Sequence, residues 1–171
     1  MTPSAHTFLL NVGFVIRESS GYSRTFEFDV PHYKFDDDFS IEKAIGSITI
    51  SRSSEGLLTQ AAFDASASAV CVRCLDVFSQ SLSVEFTELY EFPSRAKEDT
   101  ELVIPTEGKI DFAPLLREYM LLAMPISPVC QESCQGICPE CGINQNKGKC
   151  NHETTSGDPR LAVLKQFLDK K

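Results

Sequence analysis

Seven cysteines, Cys71, Cys74, Cys130, Cys134, Cys138, Cys141 and Cys150, together with His152, are the residues whose types and spacing carry chemistry. Thiolate sulfur and imidazole nitrogen bind divalent zinc well and arrange around it as a tetrahedron. The sharpest signal is Cys138-Pro139-Glu140-Cys141-Gly142. Two intervening residues let both thiolates reach one ion, and the glycine permits the tight backbone turn that follows. Cys138 and Cys141 are therefore the firmest ligands of an expected structural zinc knuckle.

Its other two ligands are sought among Cys130, Cys134, Cys150 and His152, with Cys71 and Cys74 as a distant pair that folding could bring alongside. Local loop closure costs less entropy than recruiting residues roughly sixty positions away. That argument favours Cys130 or Cys134 together with Cys150, while a CxxC and CxxC pairing across the two halves stays open. A site closed by four such ligands leaves no position for water or substrate, which makes it structural rather than catalytic. For Cys71 and Cys74, two small buried residues at a hairpin are an equally good explanation. An odd number of cysteines is a poor disulfide framework.

The elements that must position these residues are mostly strands. Tyr22 to Val30 alternates Tyr22, Arg24, Phe26, Phe28 and Val30 against polar neighbours, which predicts a half-buried strand ended by Pro31. The Asp36-Asp37-Asp38 run reads as a solvated loop. Ile48 and Ile50 suggest a second strand, closed by the turn-rich Ser51 to Gly56, and Leu57 opens a third. In that third strand Phe63, Ala65, Ala67, Ala69 and Cys71 share one face. The fourth places Phe78, Leu82, Val84, Phe86, Tyr90 and Phe92 on one side, so Cys71-Val72-Arg73-Cys74 falls at a hairpin connection.

Helical periodicity begins only at Asp111 to Met124, with Asp111 as N-cap, Pro114 in the first turn and Pro125 as the stop. A short terminal helix is expected over Asp158 to Leu168, with Asp158 capping and Pro159 at its first position. The fold class is thus α+β: a curled antiparallel sheet or small β-barrel with a helix, a C-terminal zinc knuckle and a terminal helix. Residues 1–124 form the β body with its packing helix 111–124, and residues 125–171 form the knuckle tail.

With 171 residues, 42% hydrophobic and 23% charged, the chain has the balance of a globular domain. No apolar run approaches the roughly 20 residues of a membrane helix, and Met1 to Val12 lacks the basic start and apolar core of a leader. A cytoplasmic location without membrane contact is expected. The net charge is -8, and 19 of the 24 acidic side chains precede residue 125. So acidic a body disfavours tight non-specific nucleic-acid binding and leaves protein partners, or a local RNA contact through the tail.

In order along the chain stand Cys71-Val72-Arg73-Cys74-Leu75, then Leu115-Leu116-Arg117-Glu118-Tyr119-Met120-Leu121-Leu122-Ala123-Met124-Pro125. Cys134-Gln135-Gly136-Ile137-Cys138-Pro139-Glu140-Cys141-Gly142 and Asp158-Pro159-Arg160 follow. As an ordered set covering about Cys71 to Leu168, these motifs resemble the YceD family of large-ribosomal-RNA-subunit accumulation proteins. The resemblance implies a non-enzymatic factor supporting accumulation of large-subunit (23S) ribosomal RNA and large-subunit assembly. Its partners would be a large-subunit precursor, a ribosomal protein or rRNA, with no small-molecule substrate. Arg73, Lys147, Lys149, Arg160, Lys170 and Lys171 are candidate contacts, each with solubilising surface charge as the plain alternative. A thiol oxidoreductase using Cys71 and Cys74 is the competing class. Redox CxxC pairs open helices, whose N-terminal dipole lowers the thiol pKa, whereas this pair lies between strands. The chain has no GxSxG, no P-loop and no basic recognition helix, which argues against hydrolase, transferase and regulator readings.

Overall fold

A computed structural model describes residues 7–96 and 100–152. Its frame is a four-stranded antiparallel meander of long strands: β2 (Ser23–Lys34), β3 (Ser40–Arg52), β4 (Gly56–Val70) and β5 (Val77–Glu91), hydrogen-bonded in that order. The sheet is open, because β2 and β5 are its edges and do not close into a barrel.

The strand alternation read from the sequence is the alternation observed. Phe63, Ala65, Ala67, Ala69 and Cys71 are all buried, as are Leu82, Val84, Phe86 and Tyr90, while Ser79, Ser81, Ser83 and Glu85 face outward. One expectation fails. Pro31 does not end β2, which pairs with β3 on both sides of it, Val30 with Ala44 and His32 with Glu42. An edge strand tolerates the missing N–H, and the β2–β3 register is the same on both sides of Pro31; the bulge near Lys43 (φ 52°) lies in the β3–β4 pairing.

The inner face is covered by elements too short to leave a periodic signal. β1 (Leu9–Asn11) pairs with β6 (Lys109–Asp111), and helix α1 (Gly13–Arg17) packs on β3. Phe8 lies at the centre of an aromatic cluster, 4.8 Å from the Tyr33 ring, 5.3 Å from Phe28 and 6.0 Å from Phe63. Burying such rings dominates the energetics of a core this size.

Helix α2 (Ala113–Ala123) packs against β5. Leu116 and Met120 are buried, the Tyr119 ring stacks on Phe86 at 4.3 Å, and the Tyr119 hydroxyl donates to the Glu88 carboxylate. Asp111 does serve the helix start, accepting the Ala113 N–H at 3.0 Å, although Phe112 occupies the cap position. Asp36 organises its own loop by accepting the N–H groups of Asp38 and Phe39, and it pairs with Arg117 of α2. The helix thereby returns the chain along the sheet toward the β4–β5 turn. The terminal helix expected over Asp158 to Leu168 lies outside the described residues, among which no helix is long and apolar enough to cross a membrane.

Candidate metal centres

The β4–β5 turn holds the first CxxC. Val70 pairs with Val77, and between them the chain folds into a knuckle in which the Leu75 N–H donates to the Cys71 carbonyl at 2.9 Å. The Cys71 N–H donates to the Asp76 carbonyl at 2.9 Å. Leu75 takes φ 61°, a left-handed conformation costly for a branched side chain, so this turn is bent against local preference.

The tail docks beside it. Val72 donates its N–H to the carbonyl of Pro128 at 2.9 Å, which brings the segment after α2 against the hairpin tip. The Arg73 guanidinium donates to the carbonyls of Glu132 and Cys134 at 3.3 and 3.2 Å. These contacts place Cys130 and Cys134 directly against the knuckle. Cys71 Sγ lies 3.8 Å from Cys134 Sγ, and Cys74 Sγ lies 3.7 Å from Cys130 Sγ. A disulfide would need about 2.05 Å, and all seven cysteines are free. Sulfurs bound at about 2.3 Å to a tetrahedral zinc stand about 3.8 Å apart. The four sulfurs lie within 4.8 Å of one another, and Cys71, Cys74 and Cys134 are at most 6% exposed.

Electrostatics point the same way. Burial pushes the Cys71 thiol up, but the N–H groups of Cys130, Cys74 and Arg73 aimed at its sulfur outweigh that and bring it down to about 6. Cys130 is pushed up to about 12 by burial and then by the thiols of Cys74, Cys134 and Cys71. The neighbouring sulfurs thus oppose ionisation of Cys130, and a divalent cation removes that penalty. Asn146 adds a further donor, its Nδ2 lying 3.3 Å from Cys134 Sγ.

A second group, Cys138, Cys141, Cys150 and His152, also has its ligand atoms within 4.8 Å of one another. Cys138 is buried, while Cys141 and His152 are exposed. The N–H groups of Cys141 and Glu140 bring the Cys138 thiol down to about 7, and the shared proton with Cys138 pushes Cys150 up.

Of the expected ligands, then, the structure brings Cys138, Cys141 and Cys150 together with His152, and it draws Cys130 and Cys134 away to Cys71 and Cys74. The single quartet favoured from spacing, mixing Cys130 or Cys134 with Cys138, Cys141 and Cys150, is not assembled. In the folded chain the β4–β5 pairing and the packing of α2 on β5 bring the ends of that long loop together. The sequence carried no signal for the first turn: Leu75 takes the left-handed conformation after CxxC that Gly142 (φ 72°) takes after Cys141, without the glycine that marks the second. The placement of Cys71 also bears on redox chemistry. This pair sits in a strand-to-strand turn with two more sulfurs in contact, and Cys71 is fully buried, whereas a redox pair needs solvent access.

The two groups are stacked. Ile137 donates to the Arg73 carbonyl at 3.0 Å, and Asp76 receives Asn144 Nδ2 and Lys147 Nζ, each at 2.8 Å. Gly136 (φ 77°) makes the approach feasible, since a Cβ there would lie 3.1 Å from the Arg73 oxygen.

Residues 60–168, which contain both groups together with most of β4, β5 and α2, match the model of the family described as large ribosomal RNA subunit accumulation protein YceD. The chain belongs to the YceD family. Uncharacterised proteins of Mycobacterium tuberculosis and Mycobacterium bovis are 32% identical to it over 119 residues, 67% of this chain and 57% of their own length. The chain thus spans little more than half the length of these relatives. A protein of Arabidopsis thaliana named large ribosomal RNA subunit accumulation protein YCED homolog 1, chloroplastic, is 32% identical over 77 residues, 43% of this chain and 24% of its own. No solved structure matches the chain. In YceD terms, the matched region starts inside β4 and leaves β2 and β3 outside, so the family likeness is carried by the sulfur-bearing half of the molecule.

Proposed function

We propose that this YceD-family chain acts by binding rather than catalysis, supporting accumulation of large-subunit (23S) ribosomal RNA and assembly of the large ribosomal subunit. Zinc held by Cys71, Cys74, Cys130 and Cys134 is its structural clamp. The observation that carries this reading is the family match over residues 60–168, the region that brings these four sulfurs together. Four thiolates saturate a tetrahedral ion, so the centre positions surface rather than activating water. What it positions is the tail from residue 125, which we read as a unit clamped onto the body 1–124.

Of the basic side chains proposed as contacts, Arg73 and Lys147 have structural partners in Glu132, Cys134 and Asp76. Lys149 is exposed beside them. Arg160, Lys170 and Lys171 lie outside the described residues. A large-subunit precursor, either rRNA or a ribosomal protein, is the partner this surface is proposed to meet in the cytoplasm. Depleting the protein in its host and resolving ribosomes on a gradient tests the role. A fall in large relative to small subunits, with the protein co-sedimenting with large-subunit precursors, is expected; unchanged ratios without co-sedimentation refute it.

A further inference from the structure

We infer that the chain holds a second zinc ion at Cys138, Cys141, Cys150 and His152, distinct from the buried clamp, and that this ion is the exchangeable one. The inference deepens the zinc reading above and does not require the ribosomal role.

Three observations carry it. The first is convergence: three sulfurs and an imidazole nitrogen approach within 4.8 Å of one another, a donor set that suits tetrahedral zinc and not the oxygen-seeking magnesium or calcium. The second is repetition of backbone. Gly142 donates its N–H to the Cys138 carbonyl at 2.9 Å, as Leu75 does to Cys71, and the Cys138 N–H reaches the Ile143 carbonyl at 2.8 Å, as Cys71 reaches Asp76. In both turns the N–H groups two and three residues on, Glu140 and Cys141 or Arg73 and Cys74, point at the first sulfur. Two CxxC turns that share no residue but their cysteines have one knuckle shape because both wrap a sulfur that must carry negative charge.

The third is the loop between Cys141 and Cys150. It reads Gly142-Ile143-Asn144-Gln145-Asn146-Lys147-Gly148-Lys149, too polar to be ordered by burying apolar surface. An ion closing it at both ends supplies what the missing core does not.

The contrast in exposure sets the order of exchange. At the buried clamp Cys71, Cys74 and Cys134 are at most 6% exposed, whereas Cys141 and His152 of the second site face solvent. A chelator displaces ligands one at a time, and it reaches the second site first.

The full chain, purified under reducing conditions, should contain two zinc ions per chain by elemental analysis. A chromophoric chelator should take up one at least tenfold faster than the other. Cys150→Ser and His152→Ala should each lower the content to one ion and abolish the fast phase, with the slow phase and far-ultraviolet circular dichroism retained. His152→Cys, which restores a fourth soft donor, should keep both ions. One ion in the wild-type chain overturns the inference, as does loss of all zinc in Cys150→Ser, or two ions released at one rate. Depletion with unchanged subunit ratios would refute the ribosomal role alone; a single ion would refute this inference alone.

Discussion

The two sulfur centres share a knuckle and differ in everything around it. The first joins residues 71–74 to residues 130–134, is buried at three of its four cysteines with Cys130 half-buried, and lies where the segment after α2 meets the tip of the β4–β5 hairpin. The second draws all its ligands from residues 138–152, two of them exposed, and orders only the loop it closes. The same local chemistry therefore serves two scales. A clamp between distant segments belongs to the global folding equilibrium, whereas a clamp within one loop belongs to a local opening.

The comparison is broken most directly at the sulfurs. Cys74→Ser should cost the buried ion and lower the melting temperature by on the order of 20 °C, or prevent recovery of folded protein, because the few hydrogen bonds that otherwise tie the tail to the hairpin tip do not replace the binding energy of the ion. Cys141→Ser should shift melting by under about 4 °C in the same scan. Equal shifts would show that the centres are not divided into global and local. Leu116→Ala separates the clamp from the core beneath it. This fully buried side chain of α2 should lose about 2–5 kcal/mol of unfolding free energy in denaturant titration, with zinc content unchanged below the transition.

Much of the sheet was legible in the sequence, since Phe63 through Cys71 and Phe78 through Phe92 alternate as cleanly as any half-buried strand. β1, α1 and β6 were not, because three to five residues leave no period to detect. Pro31 misled as a stop signal, for nothing in the local sequence says that its strand lies at an edge. The ligand types were legible and their grouping was not. Spacing favoured the local ligands because shorter loops cost less entropy to close, but that cost grows only with the logarithm of length. Closing about sixty residues rather than thirteen costs only about 1.4 kcal/mol more, a cost shared with the β4–β5 pairing and the α2 packing that bring the same ends together. His152 completes the second group because the fold brings its imidazole within 4.8 Å of the three sulfurs, a proximity that sequence does not display.

Asp76 offers a finer way to sharpen the contrast. It follows the first knuckle and holds Asn144 and Lys147 of the loop that the second centre closes, and the Lys147 ammonium, against a smaller push from burial, holds its carboxyl below the usual range. Asp76→Ala removes the tie without removing a ligand. Chelator uptake from the second centre should accelerate several-fold while the slow phase stays at its wild-type rate. Acceleration of both phases would mean that the centres open together.

The smallest effect is expected where neither centre takes part. Burial alone would raise the Asp36 carboxyl, but the N–H of Asp38, the Arg117 guanidinium and the N–H of Phe39 hold it below its usual range. A carboxylate depressed in the folded state contributes stability that is present above its unfolded value, about 3.9, and is lost as pH falls through the lower folded value. Asp36→Asn should therefore lower the melting temperature by no more than about 2 °C at pH 7, since the pair is partly solvated. The wild type should converge on the variant as pH falls below 4. Zinc content and both release phases should stay at wild-type values near neutrality, because this contact ties the β2–β3 loop to α2 without reaching the knuckles. A change in the slow phase would show that the buried clamp depends on how α2 is seated, and would place the helix, not the hairpin, as the element that sets the first centre's geometry.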